Sequence, residues 1–541
     1  MPEHTIATRI RRHVQVQLPS STRIRMRIRI LTADLMSRST QWKAMTVMTV
    51  DGFGFALAKS AQTFLIEQAL CRSFYAISDP AVIRPDGSVP EDMCKTDDLQ
   101  SQVAFLSSTL NFTLLIASFL ATPVFARLAL TVGKRTVLLI NAASYMLRMM
   151  LFTAVARVLV YMPWRTDTSV IQVYFYTFTD VRWVLLLWVL ELVGGGMPVR
   201  EVLLWMYMAE SVPEDGLTGA FNVLSAILIG MMSVGTFIGA LLLRQHVWLL
   251  CSIVICICAL VMLLICLLPN HHKSLYPEEE NISDAEDSPR SSASQASSPA
   301  TSLLNGEQDG RGASQGPPPL WQTVLRAATV DLLLSIQFVV QALQNPLTLR
   351  VMSIFFTYTL AGTVSGTSQQ WASSTFHTSL ADVDKVTSME QVVSAIVLFS
   401  LPTVSQRLLR PRLRSKQNTD LSVITASLVF CAFGALVMSL APSIGIYAVG
   451  VAVSALGVGL ADSLRSFATS ALSDTETLES LYMSIRTMQS LAAIVGTPLW
   501  GGIFLLILKS DGGLPPGLLF FATGIVFLVS LYSTIPLRGY R

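Results

Sequence analysis

The sequence predicts an all-α integral membrane protein with twelve transmembrane helices arranged as two six-helix bundles. Hydrophobic residues make up 52% of its 541 residues and charged residues only 13%, about half the roughly 25% that soluble domains carry. Two series of six apolar stretches follow one another along the chain. Most are at least about 20 residues long, which is the length that an α-helix needs to cross a bilayer.

Charge and cysteine content exclude several other classes of protein. The chain has 38 Lys and Arg against 35 Asp and Glu, a net charge of +3, which excludes a nucleic-acid binder that works through bulk charge. Its seven cysteines have no regular spacing, so neither a disulfide framework nor a zinc pattern is predicted. The basic first residues lack the pattern of a removable signal peptide. We expect no cofactor, no metal site and no nucleic-acid partner, and a monomer in the lipid bilayer.

The first half of the chain is predicted to begin with a basic cytosolic arm at 1–43 and to continue as a six-helix bundle at 44–268. Its spans are placed by apolar stretches of sufficient length. They lie at 44–68, 100–125, 136–160, 183–208, 219–243 and 247–268.

A polar segment separates the two series. Residues 269–319 include PEEENISDAEDSPRSSASQASSPATS, and such Ser, Pro and acidic content cannot bury enough apolar surface to fold, so a disordered cytosolic linker is predicted. Residues 320–345 are nearly long enough to cross, but Arg326 and Asp331 interrupt them. We interpret them as an interfacial helix, and a thirteenth span is the alternative.

The second bundle is predicted at 346–537, followed by a short cytosolic tail at 538–541. Its spans lie at 348–372, 384–405, 420–441, 443–463, 483–508 and 515–536. Basic residues concentrate in the arm and in the 126–135 and 406–416 loops, and basic loops stay in the cytosol. We therefore expect both termini in the cytosol, with the plasma membrane as the location and the vacuolar membrane as the alternative.

The loop after the first span contains two cysteines, Cys71 and Cys94. In this orientation both lie on the oxidising side, where a disulfide can form. Sequence supplies no Cα separation, so a disulfide and two free thiols both stay open.

The two halves repeat a pattern. The fourth span has ELVGGGMPVREV and the tenth ALGVGLADSLRS, with 194–200 and 459–465 at the same spacing. The fifth and eleventh spans carry matching glycines. Parallel six-helix halves of this kind are found in major facilitator transporters. We expect packing roles for the glycines Gly194, Gly195, Gly196, Gly235, Gly239, Gly496, Gly501 and Gly502.

Over nearly the whole chain, the sequence resembles the major facilitator superfamily. ARLALTVGKR at 126–135 stands where that family has GxLaDRxGRR. Gly133, Lys134 and Arg135 match its end, whereas Ala126 and Leu130 replace the first Gly and the Asp. The glycines at 235–240 are similar to the GPxxGG motif of the family's antiporters, with Thr236 for Pro. This resemblance implies the major facilitator fold and slightly favours export.

Further segments resemble a group of fungal major facilitator proteins that is distantly similar to proton-coupled folate transporters. They are CRSFY, ISDP and PEDMCK near the first loop, QQWASSTF after the seventh span, and LRSFATSAL and SLYMSIRTMQ around the tenth and eleventh. The resemblance implies membrane transport and leaves the solute unnamed.

Ionisable residues inside the spans are the candidates for transport, since they are costly to insert. Asp51 and Glu191 are the candidates for proton coupling, because each lies beside glycines that loosen its helix. Snorkelling or structural pairing is the alternative for each of these charges. Candidates for the substrate cavity are Lys59, Arg148, Gln369, Gln370, Trp371, Glu390 and Gln391. Candidates for gating, near the cytosolic ends, are Lys134, Arg135, Arg200, Glu201 and Arg465.

Two functions remain in competition. The first is a secondary active transporter that moves a small organic solute by alternating access, coupled to protons. The second is a non-transporting membrane sensor or scaffold that keeps the fold. We do not expect an enzyme, because the sequence has no Walker A, HExxH or GxSxG motif.

Overall fold

The computed structural model describes residues 20–84, 87–161, 188–211, 217–269, 326, 329–330, 333, 346–413, 415–472, 478–510 and 513–539. Within these residues the regular structure is entirely helical. Positions 326, 329, 330 and 333 are helical. The rest of the predicted interfacial helix, and the predicted linker beyond residue 269, lie outside the described residues.

Seven α-helices lie in the described residues of the first half. They are α1 (Ser20–Ser78), α2 (Asp97–Val132), α3 (Lys134–Tyr161), α4 (Trp188–Gly194), α5 (Gly196–Ser211), α6 (Leu217–Gln245) and α7 (Val247–Cys266). Each of the six predicted spans overlaps one of them, or the consecutive pair α4 and α5. The helix α1 is much longer than its predicted span, since it begins within the predicted arm and continues to Ser78.

In the described residues of the second half, eight α-helices are numbered here, besides the four-residue helix Arg410–Leu413. They are α8 (Pro346–Gly362), α9 (Ser365–Thr375), α10 (Leu380–Val404), α11 (Lys416–Ser439), α12 (Ile444–Ala455), α13 (Leu460–Leu472), α14 (Leu478–Lys509) and α15 (Leu518–Thr534). A short π-helical turn and the helix Arg410–Leu413 lie between α10 and α11. The predicted spans of this half overlap these helices, with the seventh divided between α8 and α9 and the tenth between α12 and α13, which continues to Leu472.

Ten helical stretches in the described residues are long and apolar enough to cross a membrane. The helix α1 and the pair α4 and α5 are not among the ten. The chain is thus a multi-pass membrane protein, while the count of twelve spans stays a prediction. Which end of the bundle faces the cytosol also stays a prediction.

The fourth predicted span bends at its glycine run. The helix α4 ends at Gly194 and α5 begins at Gly196, with a φ of +75° at Gly195 and +70° at Gly196. Glycine adopts such angles without steric cost. The carbonyls of Gly194 and Gly196 accept hydrogen bonds from Asn141 Nδ2 at 2.6 Å each, so a buried side chain of α3 stabilises the bend.

Several predicted glycines do lie where helices approach closely. A Cβ on Gly235 would lie 2.7 Å from the carbonyl oxygen of Phe53, and one on Gly239 would lie 3.1 Å from Ser60 Oγ. These two glycines let α6 pack on α1. The prediction for Gly502 is wrong, because a Cβ there would meet nothing within 4 Å. Its neighbour Gly501 faces α2 instead, since successive helical residues turn by about 100°.

The two halves interlock at the end of the bundle that carries the loop at 79–96, hereafter the disulfide end. Here α10 packs on α6, and α14 packs on α2. Leu380 and Ala381 of α10 are buried in a core cluster otherwise built by the first half. Ala104 of α2 is buried in the main core of the second half. Each half therefore contributes apolar side chains to the other's core at this end.

A disulfide joins Cys71 to Cys94, with their Cα atoms 5.5 Å apart. This separation lies in the range typical of disulfides. Both cysteines are fully buried in a small apolar cluster with Tyr75, Val89 and Leu99. Of the two alternatives that the sequence leaves open, the structure has the disulfide.

Candidate functional site

A cavity of about 90 Å³ lies between the two halves, and both line it. Residues of α1 and α6 form one wall, and residues of α9, α10 and α12 form the other. Its polar lining consists of Lys59, Ser60, Thr236, Ser365, Ser368, Gln369, Asp384, Thr387, Glu390, Gln391 and Tyr447. We call this the central cavity.

The helix α10 supplies more polar side chains to the central cavity than any other helix that lines it. Thr387 and Gln391 lie three and seven residues after Asp384, so the three residues share one helical face. Glu390 lies beside them and also lines the cavity. The sequence places this polar stripe on a helix with enough apolar residues elsewhere to cross a membrane.

Asp384 is the most deeply buried acidic residue in the cavity wall, with 3% of its surface exposed. Its Oδ1 accepts a hydrogen bond from Gln369 Nε2 at 2.6 Å. Its Oδ2 is buried and has no hydrogen bond of standard geometry among the described residues, while the Ser60 hydroxyl of α1 interacts with the same carboxyl. A buried carboxyl oxygen with so few partners can accept a proton or a polar solute.

Lys59 of α1 faces the two carboxyls across the cavity. Its side chain is exposed to the cavity, and its ammonium group attracts the carboxyls of both Asp384 and Glu390. The cation belongs to the first half and the two anions to the second. Charge attraction therefore acts between the halves at the centre of the bundle.

Hydrogen bonds beside the cavity hold α6 against α10. Ser233 Oγ donates to the carbonyl of Ser388 at 2.8 Å, and Ser388 Oγ donates to the carbonyl of Ser233 at 3.0 Å. Thr236 Oγ1 lies 3.1 Å from Gln391 Oε1 and donates to it. Small hydroxyl side chains allow this close approach. These hydrogen bonds join α6 of the first half to α10 of the second half, and both helices line the cavity.

Four of the predicted cavity residues line the central cavity: Lys59, Gln369, Glu390 and Gln391. Gln370 and Trp371 do not, because each residue along α9 turns by about 100°. Gln370 Nε2 donates to Ser107 Oγ on α2 at 2.8 Å. Trp371 is buried against Phe520, with ring centroids 4.7 Å apart, and donates to the carbonyl of Pro516 at 2.7 Å.

Arg148, also predicted for the cavity, lies instead in a cluster within the first half. Its guanidinium lies 4.9 Å from the ring centre of Tyr145, and the guanidinium of Arg200 lies 4.6 Å from the same ring. Arg200 Nη1 is 3.0 Å from Asp51 Oδ1. Asp51, a predicted proton-coupling residue, is thus paired with Arg200, a predicted gating residue.

The sequence contains a signal compatible with this pairing, because the two residues lie at similar depths in their predicted spans. Asp51 is seven residues from the cytosolic end of its predicted span and Arg200 is eight residues from that of its own, so both lie about 10 to 12 Å deep. Arg200 was expected close to the cytosolic end of its span, but its side chain is only 2% exposed. The contact lies within one half, where a gate between halves would need a partner in the other.

The remaining candidates are less informative. Lys134 Nζ lies 5.9 Å from the ring centre of Tyr207, and Arg465 forms a partly exposed ion pair with Asp462 at 3.2 Å. Both contacts lie within one half. Arg135 is half-buried and Glu201 is exposed. The side chain of Glu191 lies outside the described part of the chain, so its role stays a prediction, as do the gating roles.

Asp384 is not among the residues predicted from the sequence, and it stands at the first position of the predicted span 384–405. A signal was nevertheless present, because 384, 387, 388 and 391 are all polar and recur at helical spacing. A polar stripe of this kind on an otherwise apolar helix marks the face that turns away from lipid.

Comparison with known proteins gives both a sequence relative and fold relatives. No protein-family model matches the sequence. The chain is 24% identical over 459 residues to the MFS efflux pump atnC of Emericella nidulans, covering 84% of this chain and 79% of that pump.

Among solved structures, the human organic anion transporter MFSD10 (TETRAN) aligns with a TM-score of 0.53 at 14% identity, over 92% of this chain and 99% of that one. A D-xylose-proton symporter aligns with a TM-score of 0.52 at 14% identity, over 91% and 97%. Identities this low show the fold alone. The finer resemblance to folate transporters stays a prediction.

The resemblance on which the sequence analysis relied is confirmed by the shared fold and by the sequence relative. The chain is a multi-pass membrane protein with the major facilitator fold, and the proteins that it resembles are transporters rather than enzymes.

Proposed function

We propose that the chain is a secondary active transporter that moves a small organic solute by alternating access, with the central cavity as its binding site. Alternating access needs a site between two halves that can rock against each other. The central cavity has this position. The observation that carries the proposal is the charge arrangement within it, with Lys59 from one half facing Asp384 and Glu390 from the other.

Proton coupling is assigned here to Asp384 and Glu390 rather than to Asp51. A proton on either carboxyl removes one of the two negative charges that attract Lys59, which weakens the attraction between the halves and frees the ammonium for a solute. Loss of the proton restores that attraction. The pair of Asp51 and Arg200 lies within one half, so it need not change when the halves rock.

The size of the cavity agrees with a closed stage of such a cycle. Ligand pockets usually measure about 300 to 1,000 Å³, and the central cavity measures about 90 Å³. A drug-sized solute would need the halves to separate first. Binding would therefore be linked to the rocking motion.

We propose export as the direction of transport. Two observations support it: the glycine pattern at 235–240 and the relative described as an efflux pump. Cytosolic termini, which the basic loops favour, and the plasma membrane, with the vacuolar membrane as the alternative, belong to the same proposal.

The test is flux in proteoliposomes that contain the purified protein. A defined mixture of amino acids, sugars, nucleosides, organic acids and aromatic amines is supplied with and without a pH gradient, and its accumulation is measured by mass spectrometry. We expect at least one solute to accumulate only with the gradient. Binding of a solute without movement of any would overturn the proposal and favour the sensor or scaffold.

A further inference from the structure

The loop at the disulfide end is fixed to the first half from several sides. Its last part is the short helix Glu91–Lys95. The disulfide ties Cys94 of this helix to α1. Tyr75 Oη donates to the carbonyl of Met93 at 3.0 Å, and Gln100 Nε2 donates to the carbonyl of Cys94 at 2.8 Å. The position of this short helix is therefore determined by α1 and α2.

A buried charge network beneath the short helix orients the side chain of Glu91. Lys95 Nζ lies 2.6 Å from Glu67 Oε1, and these side chains are 4% and 2% exposed. Gln100 Nε2 donates to the same oxygen at 2.6 Å. On its other side, Lys95 Nζ lies 3.5 Å from Glu91 Oε1. A buried lysine thus holds the Glu91 carboxylate at the surface of the first half.

From this position Glu91 reaches the second half. Its Oε1 accepts the backbone N–H of Leu380, the first residue of α10, at 2.6 Å. The first N–H groups of a helix have no partner within the helix, and the helix dipole places partial positive charge there. Ser379 caps α10 at Asp382 N, so Glu91 satisfies a further donor. A charge-assisted bond to a helix end is among the stronger hydrogen bonds in proteins.

The contact between Glu91 and Leu380 is made at the start of α10, the helix that carries the proposed coupling carboxyls Asp384 and Glu390. Asp384 is four residues beyond Leu380, about 6 Å along the axis of α10. Leu380 is 2% exposed and packs with residues of the first half. Any movement of α10 that opens the central cavity toward the disulfide end must pull Leu380 away from Glu91.

We propose that Glu91 is the latch of the disulfide-end gate: its carboxylate holds the N-terminus of α10 in the closed state and must release it for the central cavity to open at that end. The role of this latch in transport rests on the proposed function. The contact between Glu91 and α10 is proposed to stabilise the closed state, and this effect on stability can be tested without any solute.

The test is a distance measurement between the halves by pulsed electron paramagnetic resonance in nanodiscs. Spin labels are attached at His246→Cys and Lys509→Cys, which are exposed positions at the ends of α6 and α14 nearest the loop. The five free cysteines are replaced and the disulfide is kept. Glu91→Ala is compared with Asp92→Ala, an exposed acidic neighbour in the same short helix.

We expect Glu91→Ala to raise the ratio of long to short distances about tenfold, as loss of a hydrogen bond to a charged group would do. Asp92→Ala should give the same distance distribution as the parent. Glu91→Gln keeps an accepting oxygen but loses the charge, so an intermediate ratio is expected, and this variant serves if Glu91→Ala does not fold. Identical distributions for Glu91→Gln, Glu91→Ala and Asp92→Ala would overturn the latch.

The latch and the transport proposal can fail separately. A shift in distances with no solute flux in the mixture assay supports the latch and removes the transport proposal. Solute flux in the mixture assay together with unchanged distances in Glu91→Ala would support the transport proposal and overturn the latch.

Discussion

Lys59 on α1 and Glu390 on α10 line the same cavity, where the lysine ammonium attracts the carboxyl, so a cation of one half faces an anion of the other. Asp384 adds a second carboxyl to this arrangement, six residues or about 9 Å along α10 toward the disulfide end. Two charges predicted separately from the sequence, Lys59 and Glu390, therefore lie in one cavity with a third, Asp384.

Removing the cavity cation is expected to impair transport while leaving the fold intact. Lys59→Met deletes the ammonium from the cavity, and Lys59→Arg keeps a positive charge there. We expect flux of the transported solute to fall about tenfold or more in Lys59→Met and to be partly retained in Lys59→Arg. Lys43→Met, at an exposed position of the same helix, is the control. Equal flux in Lys59→Met and Lys43→Met would contradict a role for Lys59.

Breaking the buried ion pair of the first half is expected to affect stability. Removing one partner of a buried pair leaves an uncompensated charge and costs about 3 kcal/mol or more, so Asp51→Asn should lower the thermal unfolding temperature of the purified protein. The double variant Asp51→Asn with Arg200→Met should recover much of the loss. Asp462→Asn breaks a partly exposed pair, which contributes about 1 kcal/mol or less. A smaller effect for Asp51→Asn than for Asp462→Asn would show that this pair is not structural.

Alanine substitutions at two of the predicted packing glycines should change the stability of the protein in opposite directions. Gly235→Ala would place a Cβ 2.7 Å from the carbonyl oxygen of Phe53, and such overpacking costs about 1 to 3 kcal/mol. Gly502→Ala meets nothing within 4 Å and should stabilise its helix by up to about 1 kcal/mol. Thermal unfolding of both variants in the same detergent checks the difference. Equal destabilisation would mean that the close approach of α6 and α1 is not a constraint.

The fold could be predicted because its determinants are local. An apolar stretch of about 20 residues identifies a span wherever its neighbours lie, and the repeat of glycines at 194–200 and 459–465 relates the two halves. The bend at Gly195 could be predicted for the same reason. The length of α1 could not be predicted, because the helix extends beyond the apolar stretch at both ends and hydropathy gives no signal for these extensions.

The site was predicted only in part, because it depends on which helix faces meet. Gln369 and Trp371 are two residues apart, yet one hydrogen-bonds to Asp384 in the cavity wall and the other packs in the core of the second half. Asp51 and Arg200 pair because α1 and α5 turn these faces toward each other. Sequence spacing within a helix gives a residue's face, but the partner of that face depends on packing.

The central claim is that the carboxyls of α10 couple proton movement to solute movement. The most direct measurement records the pH inside proteoliposomes with a trapped dye while a gradient of a solute identified in the mixture assay is imposed. Asp384→Asn and Glu390→Gln are compared with Asp382→Asn, which lies on the same helix and pairs with Lys385. The account predicts solute-driven proton movement in the parent and in Asp382→Asn, and its loss in at least one cavity variant that still exchanges solute. Undiminished proton movement in both cavity variants would contradict it.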